Sequence, residues 1–102
     1  MTGHYFGPDG EPIGMWDWCR LMRDEASHRV ALTELPGGVE VSTVWLGLDH
    51  NFGAGPPLIY ESMVFGGPLD HVQQRYPNRV AALAGHDQLV AAARDAAVGA
   101  PR

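Results

Sequence analysis

Three side chains that could take part in chemistry stand at unusual positions in this sequence: His50, Glu61 and His86. His50 lies in a long loop between two apolar segments, residues 41–48 and 58–65. Connections of that length carry function more often than tight turns do. If the fold brings the three groups together, they would form the site of a small enzyme or ligand-binding domain. They are therefore the candidate catalytic residues.

The loop over residues 49–57 reads Asp-His-Asn-Phe-Gly-Ala-Gly-Pro-Pro. Its candidate ligand-binding or partner-binding residues are Asp49, His50, Asn51 and Phe52. Asp49 and Asn51 are also typical turn formers through bonds from the side chain to nearby backbone, and this structural interpretation is favoured. The glycine spacing fits neither the Rossmann nor the P-loop pattern, and no helix start follows it, so nucleotide binding is excluded.

His86 lies near the centre of the apolar side of the last predicted helix, among leucine, valine and alanine residues. The favoured interpretation is a buried histidine that holds the helix to the sheet, with Glu61 or the 49–51 segment as its polar partner. Glu61 shares its strand face with Ile59, Met63 and Phe65. Its carboxylate is therefore either paired within a buried face or turned toward solvent, and the sequence leaves both open.

The other chemistry-bearing residues form no recognisable motif. The five histidines lack metal-ligand spacing, and there is no Gly-x-Ser-x-Gly elbow or Cys/His pair to nominate a nucleophile. We therefore expect no metal site and no cofactor. The single cysteine, Cys19, excludes an intrachain disulfide, and its place on an apolar helix stripe predicts a small core residue.

The elements that must position these groups indicate an α+β domain. We expect an antiparallel meander of three to four strands, a C-terminal helix packed across it, and a short N-terminal hairpin followed by a helix. Asn78 is the expected N-cap of the last helix. One domain should span residues 1–97, with a frayed tail over 98–102. We predict helices over 15–25 and 79–97, strands over 28–35, 39–48 and 58–65, and a weak edge strand over 71–76.

Charge and composition limit the classes of partner. The 102 residues carry a net charge of −5, and all seven basic residues are scattered arginines. No basic stripe is formed, which argues against nucleic-acid binding. The apolar runs are too short to span a membrane, and the first residues lack the pattern of a signal peptide, so we expect a cytoplasmic protein. Apolar residues on both faces of the strand near Trp45 predict a homodimer or a bound partner protein.

Two long runs carry a resemblance to known proteins. Residues 42–53 read Ser-Thr-Val-Trp-Leu-Gly-Leu-Asp-His-Asn-Phe-Gly, and residues 55–65 read Gly-Pro-Pro-Leu-Ile-Tyr-Glu-Ser-Met-Val-Phe. With the segments at 5–13, 75–76 and 84–86, they resemble a family of small proteins encoded by bacteriophages and prophages. The sequence departs from that family at residues 78–81, where an acidic helix start is expected. The family has no assigned activity, so the resemblance implies a setting and no reaction.

Two classes of function follow from these observations. The favoured one is a phage or prophage accessory protein that acts in the host cytoplasm by binding a host or viral protein. Whether the chain is an enzyme stays open, although the absence of a catalytic motif favours a non-enzymatic role. The alternative is a small enzyme or ligand-binding domain with its site at the 49–57 loop. A solvent-open pocket that unites His50, Glu61 and His86 would favour this alternative.

Overall fold

The computed structural model describes residues 5–49 and 55–99, and it confirms the predicted α+β fold. An N-terminal hairpin and two helical segments precede a four-stranded antiparallel sheet, and a long helix follows it. In chain order the elements are β1 (Tyr5–Phe6), β2 (Pro12–Ile13), α1 (Met15–Arg23), α2 (Glu25–His28), β3 (Arg29–Leu35), β4 (Val39–Trp45), β5 (Tyr60–Phe65), β6 (Gln73–Tyr76) and α3 (Arg79–Gly99).

The sheet has the order β3-β4-β5-β6, so each strand pairs with its neighbour in sequence, as predicted. The weakly predicted edge strand is present as β6. β4 ends at Trp45 and does not reach residue 48, because Gly47 adopts a φ of +71° that leaves the extended conformation. His28 belongs to α2 and not to β3, because the side chain of Asp24 accepts a hydrogen bond from the Ala26 N–H and starts that helical turn.

α3 packs across one face of the sheet and contacts all four strands. Asn78 caps its start, since the Asn78 side chain accepts a hydrogen bond from the Ala81 N–H at 2.8 Å, as expected. The residues between helix and sheet form two apolar clusters, one toward each end of the strands. The first contains Leu35, Val39, Val41, Val64, Leu89 and Ala93; the second contains Trp45, Ile59, Tyr60, Tyr76 and Ala82.

Aromatic donors fasten the N-terminal segment to the end of the sheet where β4 stops. The indole N–H of Trp45 donates to the carbonyl of Phe6 at 3.2 Å, and the hydroxyl of Tyr60 donates to the carbonyl of Pro8. The indole N–H of Trp18 donates to the carbonyl of Leu46 at 2.9 Å. These bonds satisfy the polar tips of aromatic side chains that are otherwise packed in apolar surroundings.

Helix α1 is less buried than the sequence predicts. Trp18, Leu21 and Met22 pack against the apolar cluster around Trp45, but none of the residues of α1 is fully buried. Cys19 is half-buried, so the prediction that it is a core residue is wrong. Trp16, which lies off the apolar stripe, is 81% exposed.

Candidate functional site

The environment of His86 is a chain of hydrogen bonds beneath α3. The imidazole Nδ1 lies 2.7 Å from the hydroxyl of Thr43 on β4, and Nε2 lies 2.8 Å from the hydroxyl of Thr33 on β3. The Thr43 hydroxyl in turn lies 2.5 Å from that of Ser62 on β5. We call these four residues the histidine network. It joins the last helix to three strands.

The network is sealed from solvent on its inner side. His86 is 4% exposed, and Thr43 and Ser62 are fully buried, whereas Thr33 is half-buried at the edge strand. Burial lowers the pKa of His86, and the nearby carboxylate of Asp87 opposes that shift only in part. The ring is therefore neutral near pH 7. One nitrogen then donates and the other accepts, and a hydroxyl can serve either role.

Of the two predicted partners of His86, Glu61 is wrong. Glu61 lies on the opposite face of the sheet, because residues 60, 62 and 64 are the ones that β5 turns toward α3. Glu61 instead accepts a hydrogen bond from the Nε of Arg75 at 3.0 Å across the β5–β6 pair. Successive side chains of a strand point to opposite faces, so the carboxylate cannot reach the imidazole. The predicted burial of His86 is confirmed.

Asp49, the first residue of the loop, bonds to the backbone just beyond the loop's other end. The carboxylate of Asp49 accepts a hydrogen bond from the backbone N–H of Leu58 at 3.1 Å, which closes the base of the loop. This agrees with the structural interpretation of Asp49. His50, Asn51 and Phe52 lie outside the described residues. Of the three candidate catalytic groups, the structure describes Glu61 and His86, and the sheet separates them.

The second candidate site is the face of the sheet opposite α3, which we call the open face. Among the described elements, α3 alone contacts all four strands, and it lies on the other side. Leu32 and Phe65 are each 43% exposed on the open face, next to the half-buried Val44 and Met63. Several apolar side chains on one face of a sheet mark an interaction surface more often than isolated exposed residues do.

The strand register arranges the open face in three rows that run across the strands. The arginine row lies at the end where β4 finishes, the glutamate row lies at the opposite end, and the middle row separates them. The arginine row is Arg29, Val44, Glu61 and Arg75; the middle row is Leu32, Ser42, Met63 and Gln73; the glutamate row is Glu34, Glu40 and Phe65.

Other types of site find little support in the described part of the chain. Residues 5–49 and 55–99 contain no group of three or more histidine, cysteine, aspartate or glutamate side chains that could hold a metal ion. No helix within these ranges has the length and hydropathy needed to span a bilayer.

Sequence reasoning missed the hydroxyl partners of His86 and the arginine partner of Glu61. The sequence did contain a signal for these hydroxyls. Thr43 lies two residues from the apolar Val41 and Ser62 lies two residues from the apolar Val64, so each shares a buried strand face with an apolar residue. Arg75 lay in the weakly predicted edge strand, where its pairing with Glu61 depends on the strand register.

Comparison with known proteins adds no relative. The chain matches no protein-family model, no curated protein and no solved structure. The resemblance to phage-encoded proteins therefore stays a prediction, and function has to be inferred from the surface of the molecule.

Proposed function

We propose that this protein is a phage or prophage accessory protein that acts by binding another protein through the open face of its sheet. The observation that carries the proposal is the exposure of Leu32 and Phe65, on the same face as Val44 and Met63 and opposite to α3. Burial of such a surface is the main favourable term in protein association. The charged side chains of Arg29, Glu34 and Glu40 would then form part of the polar rim of the contact.

The geometry is less favourable to an enzyme that uses the candidate catalytic groups. Glu61 and His86 lie on opposite sides of the sheet. The histidine network is buried apart from Thr33, which is half-buried. A general acid or base has to come within hydrogen-bond reach of its substrate. The buried imidazole of His86 instead has both nitrogens bonded to protein hydroxyls, as a structural histidine does.

The setting of the proposal comes from the phage resemblance and from charge. With a net charge of −5, the chain is better suited to a protein partner than to nucleic acid. The partner would be a host protein, a viral protein or another copy of the chain, and the binding would take place in the bacterial cytoplasm.

A cysteine placed on the open face tests whether that face is covered in the cell. Gln73 is exposed at the end of the middle row, so Gln73→Cys in a Cys19→Ala background gives one reactive thiol there. Gln88→Cys, on the exposed side of α3, is the matched control. We expect maleimide to label position 73 at least several-fold more slowly in cells that carry the gene naturally than in dilute purified protein. Position 88 should react alike in both settings.

Equal labelling of position 73 in cells and in dilute protein would overturn the proposal. Equal slowing at positions 73 and 88 would also count against it, because general crowding or poor reagent entry would then explain both. Slowing at position 73 alone would support a partner on the open face.

A further inference from the structure

We propose that the open face binds a second copy of this chain, with the strands of the two sheets antiparallel. The inference rests on the proposed function, since it names the partner of the same surface. A two-fold contact between identical faces requires a surface that is complementary to itself. The three rows of the open face meet that requirement.

The charges of the open face are separated along the strand direction. Arg29 and Arg75 occupy the two outer positions of the arginine row, whereas Glu34 and Glu40 are neighbours in the glutamate row. Glu61 is held by Arg75 within the arginine row. The uncharged middle row lies between the two ends. The cation of Arg29 therefore lies at one end of the open face and the carboxylates of Glu34 and Glu40 lie at the other, while the apolar Val44 and Phe65 stand within the charged rows.

A two-fold axis across the strands, through the middle row, makes these ends complementary. Rotation about that axis keeps each strand above its own counterpart and reverses its direction, so the arginine row of one copy faces the glutamate row of the other. Arg29 then faces Glu34 of the second copy, with Glu40 on the adjacent strand. Leu32 and Met63 meet their own counterparts at the centre. One Arg29–Glu34 pair forms at each end of the contact and sets its orientation. Within the same rows Glu61 faces Phe65 and Glu40 faces Val44 of the second copy.

The alternative two-fold axis runs along the strands and is unfavourable. It would place β3 above β6 of the second copy at the same level along the strands. Arg29 would then face Arg75, and Leu32 would face Gln73. A like-charge contact at both edges costs affinity, and the apolar centre would be partly lost. Charge and apolar distribution together therefore select the arrangement with antiparallel strands.

The area of the face sets the strength that we expect. A rise of about 3.3 Å per residue and a strand spacing of about 4.8 Å make the open face roughly 20 by 15 Å. This area, roughly 300 Å² from each copy and about 600 Å² in total, is below the usual size of a specific protein contact. We therefore expect weak self-association, with a dissociation constant of order 100 μM that rises with salt.

Charge exchange between two variants tests both the contact and its orientation. Arg29→Glu should weaken self-association at least about tenfold, because glutamate would then face glutamate at both ends of the dimer. Glu34→Arg should do the same with arginines. Mixing the two variants should restore association to near the wild-type level, since position 29 of each variant then faces the opposite charge at position 34 of the other. Sedimentation velocity over about 1–500 μM protein measures the wild type, both variants and their mixture.

Arg94→Glu, on the exposed side of α3, is the control and should leave association unchanged. Circular dichroism checks that each variant is folded, because Arg29 also contacts Glu25 at 3.5 Å and its replacement could act locally. Leu32→Glu, which introduces a charge at the axis, gives a second variant that does not involve that contact. We expect it to abolish the dimer at the same concentrations.

The outcomes separate this inference from the proposed function. A wild-type chain that stays monomeric at about 500 μM overturns the inference, and slowed labelling of Gln73→Cys in cells would then leave the proposed function standing with another protein as partner. A dimer that survives Leu32→Glu, or folded charge variants that do not recover on mixing, also overturns it, because another surface or orientation would be in use. Monomeric protein together with unchanged labelling in cells refutes both.

Discussion

Replacing His86 with Ala removes the centre of the histidine network and tests whether that network holds α3 on the sheet. The substitution leaves the helix propensity favourable, since alanine is the best helix former. Any loss of stability must therefore come from the lost imidazole. The structure identifies what is lost: two hydrogen bonds to Thr33 and Thr43, and the packing of a ring that is 4% exposed.

The expected cost follows from the fate of each partner. Each lost hydrogen bond contributes about 1 kcal/mol net, and the void left by the ring adds to that. Thr43 keeps its bond to Ser62, and the half-buried Thr33 can reach water, so neither hydroxyl is left fully unpaired. We therefore expect His86→Ala to lower the free energy of unfolding by about 2–3 kcal/mol.

Urea denaturation followed by tryptophan fluorescence measures this change, with Gln88→Ala as the matched control on the exposed side of the same helix. The control should stay within about 0.5 kcal/mol of the wild type. A double-mutant cycle with Thr43→Val then isolates the bond between the two side chains, and we expect a coupling of about 1 kcal/mol. If His86→Ala is as stable as Gln88→Ala, or if the two changes are additive, the network does not fasten the helix and the reasoning is refuted.

Two further predictions concern the pH dependence of stability and the packing of α3 against Tyr76. Because burial lowers the pKa of His86, the unfolded chain takes up a proton more readily than the native one as the pH falls below about 6.5. The free energy of unfolding should therefore fall with decreasing pH from about 6.5, and more steeply than in His86→Asn; parallel curves would contradict a buried neutral ring. Gly85→Ala would place a Cβ into the ring of Tyr76, so we expect a loss of about 1–3 kcal/mol in urea denaturation. A more stable Gly85→Ala protein, as helix propensity alone would give, would show that α3 does not cross the ring there.

The fold was predictable where the local pattern and the burial agree. Burial alternates strictly along β4, and its first four residues, Val-Glu-Val-Ser, alternate between apolar and polar in the same way, so the strand and its pairing with β5 could be predicted. The end of β4 at Trp45 could not be predicted from the sequence. The apolar Leu46 and Leu48 continue the strand pattern, whereas the backbone turns at Gly47, where an added Cβ would come within 2.5 Å of Trp18 and 2.6 Å of Trp45. That close approach is a tertiary constraint and leaves no local signal beyond the glycine itself.

The site was predictable only in part, because periodicity assigns a residue to a face but does not say what covers that face. The helical period correctly placed His86 toward the sheet. The partner depended on which face of β5 the helix covers, and both faces carry apolar residues: Tyr60 and Val64 on one, Met63 and Phe65 on the other. The sequence pattern therefore could not choose between Ser62 and Glu61 as the neighbour of the imidazole.

The histidine network and the open face are connected through the position of α3. The helix presents small side chains such as Ala82, Gly85 and Ala93 to the sheet, together with the larger Leu89. The bonds of His86 to two different strands add polar contacts to this packing and hold the helix on one face. Because α3 is held on the other side of the sheet, the open face stays accessible to the second copy of the chain that we propose as its partner. Such binding stabilises the folded chain by mass action, so the thermal midpoint should rise with protein concentration in the wild type and lose that dependence in Leu32→Glu.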